Sequence, residues 1–167
     1  MSKALVPQRQ IRAVHDDTTI RVYQAYRPEI AKPALAANNF VPPFSLGRMT
    51  WIKPSFLWMM YRSGWALKEG QQYVLAVTIT REGFEWALAN ASLSHYVASV
   101  YQDHDEWKKA KAQCPVRIQW DPERNVRLGR LDYRSIQIGL GPQASPLYVS
   151  KWIRSIENAT PLAHQIH

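Results

Sequence analysis

The chain has little cysteine and no long hydrophobic run, and both shortages limit what it can be. Cys114 is the only cysteine among the 167 residues, so the chain can form neither an internal disulfide nor a zinc site with four cysteine ligands. No apolar run approaches the roughly 20 residues that cross a bilayer, and the N-terminal segment lacks the apolar core of a secretory signal. We therefore expect a cytoplasmic protein in a reducing environment, without a membrane partner.

Glycine is also scarce, and the seven glycines do not form a phosphate-binding loop. Gly139-Leu140-Gly141 lacks a third glycine at the spacing of a dinucleotide fingerprint, and Pro142 would interrupt the helix start that such a loop needs. The five histidines are scattered, and the charged run at 103–106 points in several directions around a predicted helix. We therefore expect neither a P-loop nor a metal site.

Basic residues, by contrast, are in excess. Lys and Arg number 21 against 13 Asp and Glu, giving a net charge of +8, and 46% of the residues are hydrophobic. The hydrophobic content indicates a globular chain, and the charge favours an anionic partner such as a nucleotide or nucleic acid. The length predicts one domain over residues 13–160, with a flexible N-terminal segment at 1–12 and a C-terminal tail at 161–167.

Hydrophobic periodicity predicts an α+β fold, with a mixed, mostly antiparallel twisted sheet and flanking helices. Alternating, β-rich segments predict strands at 19–26, 49–53, 72–80, 116–120, 126–131 and 133–140, with a turn at 121–125 between the fourth and fifth. Helical spacing and helix-start residues predict helices from 28 to about 38, at 55–62, from 81 to about 91, at 94–112 and at 145–158.

The most informative segment is 48–65, RMTWIKPSFLWMMYRSGW, which combines three tryptophans with three cations. Aromatic rings stack on flat ligands and fixed cations bind phosphate, so the segment favours a nucleotide site. Arg48, Trp51 and Lys53 are the residues that we assign to the ligand. Backbone N–H groups at the helix start, Ser55, would add a phosphate site. Alternatively, Ser55 only caps the helix and the tryptophans fill the core.

Other candidates lie on the first and last predicted strands. Arg21, Tyr23 and Gln24 belong to the first strand, and Arg134 and Gln137 belong to the last. Because side chains alternate along a strand, Gln137 lies on the opposite face from Arg134. Arg134 either enters a site or is an ordinary charge at a sheet edge.

One carboxylate also follows a predicted strand. Glu123, in the sequence WDPER, is either a catalytic group or part of the turn, since aspartate followed by proline is typical of a turn. The turn is the better-supported interpretation.

Several motifs together resemble the domain-of-unknown-function 4291 family. They are VYQAYRPEIA, RMTWIKPSFLWMMYRSGW, VLAVTITREGFEWAL, VRIQWDPER and YRSIQIGL. The resemblance covers approximately residues 10–158, and the second motif is the most specific. Membership in that family implies no particular activity.

The order of elements is also similar, more distantly, to that of the ADP-ribosyltransferases. In that superfamily the first strand offers His or Arg to NAD, and an aromatic strand with its following helix holds the nicotinamide. The resemblance implies that Arg21 or Gln24 takes the first role. It implies that Trp51, Ser55 and Tyr61 take the second.

A late Glu or Gln completes the superfamily site, and the resemblance gives this role to Gln137 or Glu123. It implies NAD as the donor substrate, no metal, an ADP-ribosyltransferase-like fold and Arg21, Gln137 and Glu123 as catalytic candidates. The residues assigned to the nucleotide are Tyr23, Gln24, Arg48, Trp51, Lys53, Ser55, Tyr61 and Arg134. The chain departs from the superfamily because it has no clean triad, which favours a nucleic-acid acceptor over a protein one.

Two other functions compete with transfer. A non-catalytic, basic nucleic-acid-binding module would use Trp51, Trp65 and the basic residues at 108–111. A purely structural or partner-binding domain would bury all its tryptophans.

Overall fold

The computed structural model describes residues 5–167, which form a single α+β domain. Within this range the strands are β1 (Thr19–Tyr26), β2 (Thr50–Ile52), β3 (Tyr73–Thr80), β4 (Ala91–Leu93), β5 (Val116–Arg124), β6 (Arg130–Leu140) and β7 (Ile153–Asn158). The helices are α1 (Pro28–Ala37), α2 (Phe56–Ser63), α3 (Arg81–Ala89), α4 (His104–Gln113), α5 (Ser145–Leu147) and α6 (Thr160–Ile166). A π-helical turn, Tyr148–Trp152, follows α5.

The strands form two sheets where the sequence predicted one. The three-stranded sheet has the order β1-β3-β7 and is antiparallel throughout. The four-stranded sheet has the order β2-β6-β5-β4, and only its β4–β5 pair is parallel. The predicted mixed, mostly antiparallel arrangement is therefore confirmed.

Among residues 5–167, one backbone hydrogen bond joins the two sheets. The amide of Tyr23 in β1 donates to the carbonyl oxygen of Lys53, just after β2, at 2.7 Å. The main hydrophobic core includes residues from both sheets, among them Val22, Leu75 and Ile138, each fully buried. The junction of β1 and β2 is therefore fixed by hydrogen bonding and by packing.

The sequence predicted β1 and the helix α1 with nearly correct bounds. α1 begins at Pro28, where a missing N–H costs nothing, and ends at Asn38, whose φ of 54° lies in the left-handed region. The segment 1–12 was expected to be flexible, and its residues 1–4 lie outside the described residues. Beyond them, the carbonyl oxygen of Gln8 accepts a 2.9 Å hydrogen bond from the amide of Arg134.

The predicted turn at 121–125 is wrong. β5 continues to Arg124, and the turn follows at Asn125, whose Oδ1 accepts from the amides of Arg127 and Gly129 at 2.9 Å. Pro122 is tolerated within β5 because β4 ends opposite Ile118, which leaves this part of β5 at the sheet edge. A register shift follows Pro122.

Two predicted helices are partly wrong. Of residues 94–112, only those from His104 onward are helical, because Asp103 caps the helix by accepting from the amide of Glu106. Of residues 145–158, the last six form β7. Their apolar spacing fits a helix, but the open edge of β3 offers backbone hydrogen bonds that only a strand can complete.

The segment 161–167, expected as a tail, contains most of α6. Thr160 fixes its start, because its Oγ1 accepts from the amide of Val74 at 2.9 Å, and Ala163 is fully buried. Among the residues that the structure describes, no helix combines the length and the apolar character needed to cross a membrane.

Candidate functional site

A cavity opens where the two sheets meet, beside the contact between β1 and β2. Its volume of about 440 Å³ is within the range of small-molecule sites. Residues from β1, β5, β6 and α2, from β2 and its flanks, and from the loop before β3 line it: Gln24, Ala25, Tyr26, Met49, Trp51, Lys53, Met59, Arg62, Gln71, Gln119 and Gln137. Segments distant in the sequence thus share one concave surface, which we call the junction cavity.

The indole of Trp51 forms part of the cavity wall and packs over Gly139, its partner in the β2–β6 ladder. A Cβ atom at position 139 would lie 2.9 Å from two ring atoms of Trp51, so only glycine leaves room for the ring. Met49, Trp51 and Lys53 alternate along the chain and therefore share one face. This alternation places a ring and a cation together in the cavity.

Four glutamines also line the cavity. Gln119 of β5 and Gln137 of β6 are cross-strand partners. The Nε2 atom of Gln137 donates to Oδ2 of Asp121 at 2.7 Å, and Nε2 of Gln119 donates to Oδ1 of the same carboxylate at 3.1 Å. Asp121 thus orients both amides. Among the described residues that line the cavity there is no carboxylate.

Lys53 is a buried cation in this cavity. Its side chain is only 8% exposed, and its Nζ donates to the carbonyl oxygen of Trp51 at 3.0 Å. Burial lowers the pKa of Lys53 to about 7, and the positive charge of Arg62 contributes to the lowering. A buried amine that titrates near neutral pH is typical of a functional site.

Arg62 provides the second cation from the last turn of α2. The helix begins at Ser55, whose Oγ accepts from the amide of Trp58 at 3.0 Å, and it ends at Gly64, whose φ of 57° is left-handed. These two ends fix the position of Arg62 along the helix. Arg62 is exposed to solvent, lines the same cavity as Lys53, and lies close enough for its charge to act on the Lys53 amine.

A hydrogen-bonded chain supports the β1 side of the cavity. The hydroxyl of Tyr148 donates to Oε1 of Gln24 at 2.6 Å, and Nε2 of Gln24 donates to the hydroxyl of Tyr26 at 2.8 Å. Burial raises the pKa of Tyr26, although the hydrogen bond from Gln24 and the charge of Arg48 oppose that shift. Gln24 is thus held rigidly and Tyr26 stays a neutral phenol.

The structure brings four of the predicted site residues together in the junction cavity: Gln24, Trp51, Lys53 and Gln137. Arg48 is exposed and lies close enough to Tyr26 to affect its pKa. Arg21 and Tyr23 do not line the cavity. Tyr23 is buried in a second hydrophobic cluster, where its ring meets that of Phe56 edge-on.

The other predicted residues lie elsewhere. Ser55 donates from Oγ to Oε1 of Glu123 at 2.9 Å, so this pair ties β5 to the start of α2. The guanidinium of Arg124 stacks over the ring of Tyr61 at 3.8 Å, on the outer surface. None of these four residues lines the junction cavity.

Arg134 lines a second cavity. Its Nη1 donates to the carbonyl oxygen of Trp120 at 3.1 Å. The second cavity, about 470 Å³, lies between β5, the end of β4 and the following loop, and Arg9 also lines it. Gln119 lines both cavities, which therefore meet at one side chain.

Sequence reasoning did not assign the other lining residues to the site, among them the polar residues Arg62 and Gln119. Arg62 lies within the segment 48–65 but was not assigned to the ligand. Gln119 shares the polar face of β5 with Asp121, and this alternation was the only signal in the sequence that could have revealed it. Within residues 5–167, no group of three or more His, Cys, Asp or Glu is arranged to hold a metal ion.

The chain matches one protein family over most of its length. A profile described as Domain of unknown function (DUF4291) matches residues 10–167. The chain belongs to the DUF4291 family. This confirms the family resemblance predicted from the motifs. The whole junction cavity lies within the matched region, so it is a feature of the DUF4291 domain in this chain. Among curated proteins, a search found no match.

Proposed function

We propose that the protein is a nucleotide-binding transferase of the ADP-ribosyltransferase type, with NAD as donor and a nucleic acid as acceptor. The observation on which this depends is the composition of the junction cavity. It combines an indole, two cations and four glutamines, and no carboxylate is among its described lining residues. Such a surface attracts an anionic ligand that also has flat, hydrogen-bonding rings.

Each part of a dinucleotide has a matching group in the cavity. Lys53 and Arg62 match the pyrophosphate, because charged donors make the stronger hydrogen bonds to phosphate oxygens. Trp51 offers a ring for stacking against adenine or nicotinamide. The glutamine amides both donate and accept, so they suit a carboxamide or a ribose hydroxyl.

The distant resemblance to ADP-ribosyltransferases supports the same assignment. It requires the first strand, an aromatic strand with the next helix, and a late strand to meet around NAD. Here Gln24 of β1, Trp51 of β2, Arg62 of α2 and Gln137 of β6 meet in one cavity. In this proposal Gln137 takes the role of the late Glu or Gln, and its amide is already oriented by Asp121.

In the proposed reaction, the bond between C1′ of the ribose and the nicotinamide nitrogen breaks. The bonding electron pair leaves with nicotinamide, and the developing oxocarbenium ion is attacked by a hydroxyl or base nitrogen of the acceptor, which releases its proton to water. The carbonyl oxygen of Gln137 can accept from a ribose hydroxyl during this step. Glu123 remains a catalytic candidate from the sequence, although it does not line the cavity.

Nicotinamide release tests the proposal directly. The protein would be incubated with NAD and single-stranded RNA or DNA, and nicotinamide and ADP-ribosylated oligonucleotide would be measured. We expect both products from the wild type and from Trp86→Ala, whose indole lies on α3 outside the cavity. We expect neither from Trp51→Ala. No nicotinamide release, together with no heat on titration with NAD, would refute the transferase.

A non-catalytic nucleic-acid-binding module remains the second candidate, and the second cavity favours it. Trp120 lies there with Arg9 and Arg134, so a ring and two cations face a single space. Trp65, by contrast, is 6% exposed and offers little surface to a base. This candidate predicts oligonucleotide binding that weakens steeply with salt, without nicotinamide release.

A further inference from the structure

Two cations line the junction cavity, the buried Lys53 and the exposed Arg62, and no carboxylate is among its described lining residues. Lys53 enters from the end of β2 and Arg62 from α2. Of the acidic groups on the adjoining β5, Asp121 lies behind the cavity wall and accepts hydrogen bonds from the lining amides of Gln119 and Gln137, and Glu123 accepts from Ser55. The cavity beside these two cations therefore suits the negative charge of a ligand.

The remaining groups around this space do not change their charge near neutral pH. From β1 it is faced by Gln24, which is neutral, and by Tyr26, a buried phenol whose pKa is raised. From β5 and β6 it is faced by Gln119 and Gln137, which are also neutral. An arginine keeps its proton in proteins.

The amine of Lys53 is thus the only described lining group that exchanges a proton near neutral pH. Its pKa of about 7 results first from burial and then from repulsion by Arg62. A bound anion would raise this pKa again, because its negative charge stabilises the protonated amine that burial and Arg62 both disfavour. Among the described residues, the amine of Lys53 makes one hydrogen bond, to the carbonyl oxygen of Trp51. A protonated Nζ therefore keeps two further donors for a ligand.

We propose that Lys53 and Arg62 form the phosphate subsite of the junction cavity, and that Lys53 takes up a proton when a phosphate group binds there. This inference rests on the proposed function only in placing a nucleotide in the cavity. Arg62 supplies a permanent charge, and Lys53 supplies a charge that appears with the ligand. Because Lys53 is buried and Arg62 is exposed, only the charge of Lys53 carries a desolvation cost, and the free protein reduces that cost by leaving part of the amine unprotonated.

Affinity for phosphate ligands should therefore fall as the pH rises. If only the protonated amine binds, a midpoint near 7 makes the affinity about ninefold weaker at pH 9 than at pH 8. A fully ionised ligand is needed for this measurement. Phosphate groups with a second pKa of about 6 meet that condition at pH 8 and above.

Calorimetric titration with ADP and with ribose 5-phosphate, whose terminal phosphate groups are fully ionised at about pH 8, tests the inference. Titrations in two buffers of different ionisation enthalpy give the number of protons taken up. We expect close to one proton per ligand for the wild type. Lys53→Arg, permanently charged, should bind without uptake and with little dependence on pH. Lys68→Met, at an exposed lysine outside the cavity, is the matched control and should behave as the wild type.

The outcomes separate this inference from the proposed function. If ADP binds without proton uptake and with pH-independent affinity, the inference fails and the nucleotide site stands. If ribose 5-phosphate binds with proton uptake but NAD does not bind, the phosphate subsite stands and NAD is refuted as donor. If neither ADP nor ribose 5-phosphate binds at any pH, both proposals fail.

Discussion

Replacing Lys53 by methionine should make the protein more stable while removing its affinity for phosphate ligands. The substitution keeps a long, flexible side chain of similar volume and removes only the charge and the donors. The pKa of the lysine is lowered from 10.5 to about 7, which corresponds to a cost of about 5 kcal/mol for keeping the protonated amine in the fold. The stability of the wild type is therefore reduced by a group that serves binding.

Part of this gain is lost when the amine is removed. The carbonyl oxygen of Trp51 loses the 3.0 Å hydrogen bond that it accepts from Lys53, and an unsatisfied buried acceptor costs about 1–3 kcal/mol. We expect the unfolding free energy of Lys53→Met near pH 7 to exceed that of the wild type by about 2–4 kcal/mol.

The stability difference between Lys53→Met and the wild type should depend on pH in one direction. Because the folded-state pKa is lower than the unfolded-state pKa, the penalty is fully present below about pH 7 and disappears as the pH rises toward 10.5. The stability advantage of the variant should therefore shrink by about 2 kcal/mol between pH 7 and pH 9. Other titrating groups are common to both proteins and cancel in the difference.

Urea unfolding of the wild type and of Lys53→Met across this pH range measures the effect. The exposed Lys68→Met substitution is the control and should change stability by less than about 0.5 kcal/mol at every pH. A variant that is no more stable than the wild type near pH 7, or an advantage that does not change with pH, would contradict the assignment of Lys53 as a buried, depressed amine.

Three further substitutions test the geometry of the site. Gly139→Val should displace the indole of Trp51 and weaken nucleotide binding at least about tenfold, because overpacking moves the neighbouring side chain. Gly47→Ala is the control in the calorimetric titration. A Cβ atom there would lie 3.8 Å from its nearest neighbour, so this variant should bind normally. Ser55→Ala should lower the unfolding free energy by about 1 kcal/mol, the usual value for a helix cap, and leave nucleotide affinity intact, as measured by urea unfolding and calorimetry. Glu123→Gln should retain nicotinamide release if the role of Glu123 is limited to its hydrogen bond with Ser55. Complete loss of release at unchanged stability would instead indicate that Glu123 is a catalytic residue.

The elements that the sequence predicted best are those whose signals are local. β3 shows strong β propensity, and α2 has a serine cap at one end and a glycine in the left-handed conformation at the other. These features act over a few residues, so they can be read without knowing the rest of the fold. β7 could not be predicted in this way, because its backbone is extended only to pair with β3.

The same division applies to the site. Trp51 and Lys53 stand out because a lysine among large apolar residues is unusual, and their spacing alone places them on one face of a strand. Gln119 and Arg62 are ordinary residues in their own segments. They become candidate site residues only because β5 lies beside β6 and α2 packs near β1, which brings them to the same cavity.

The sequence by itself determined a basic α+β domain with a concentrated aromatic and cationic segment, because composition and side-chain alternation are properties of the chain alone. The tertiary structure decided which residues share the cavity, that no carboxylate lines it among the described residues, and that the amine of Lys53 is removed from water. Burial and the distance between charges depend on how separate segments pack, and these quantities set the pKa of a lysine.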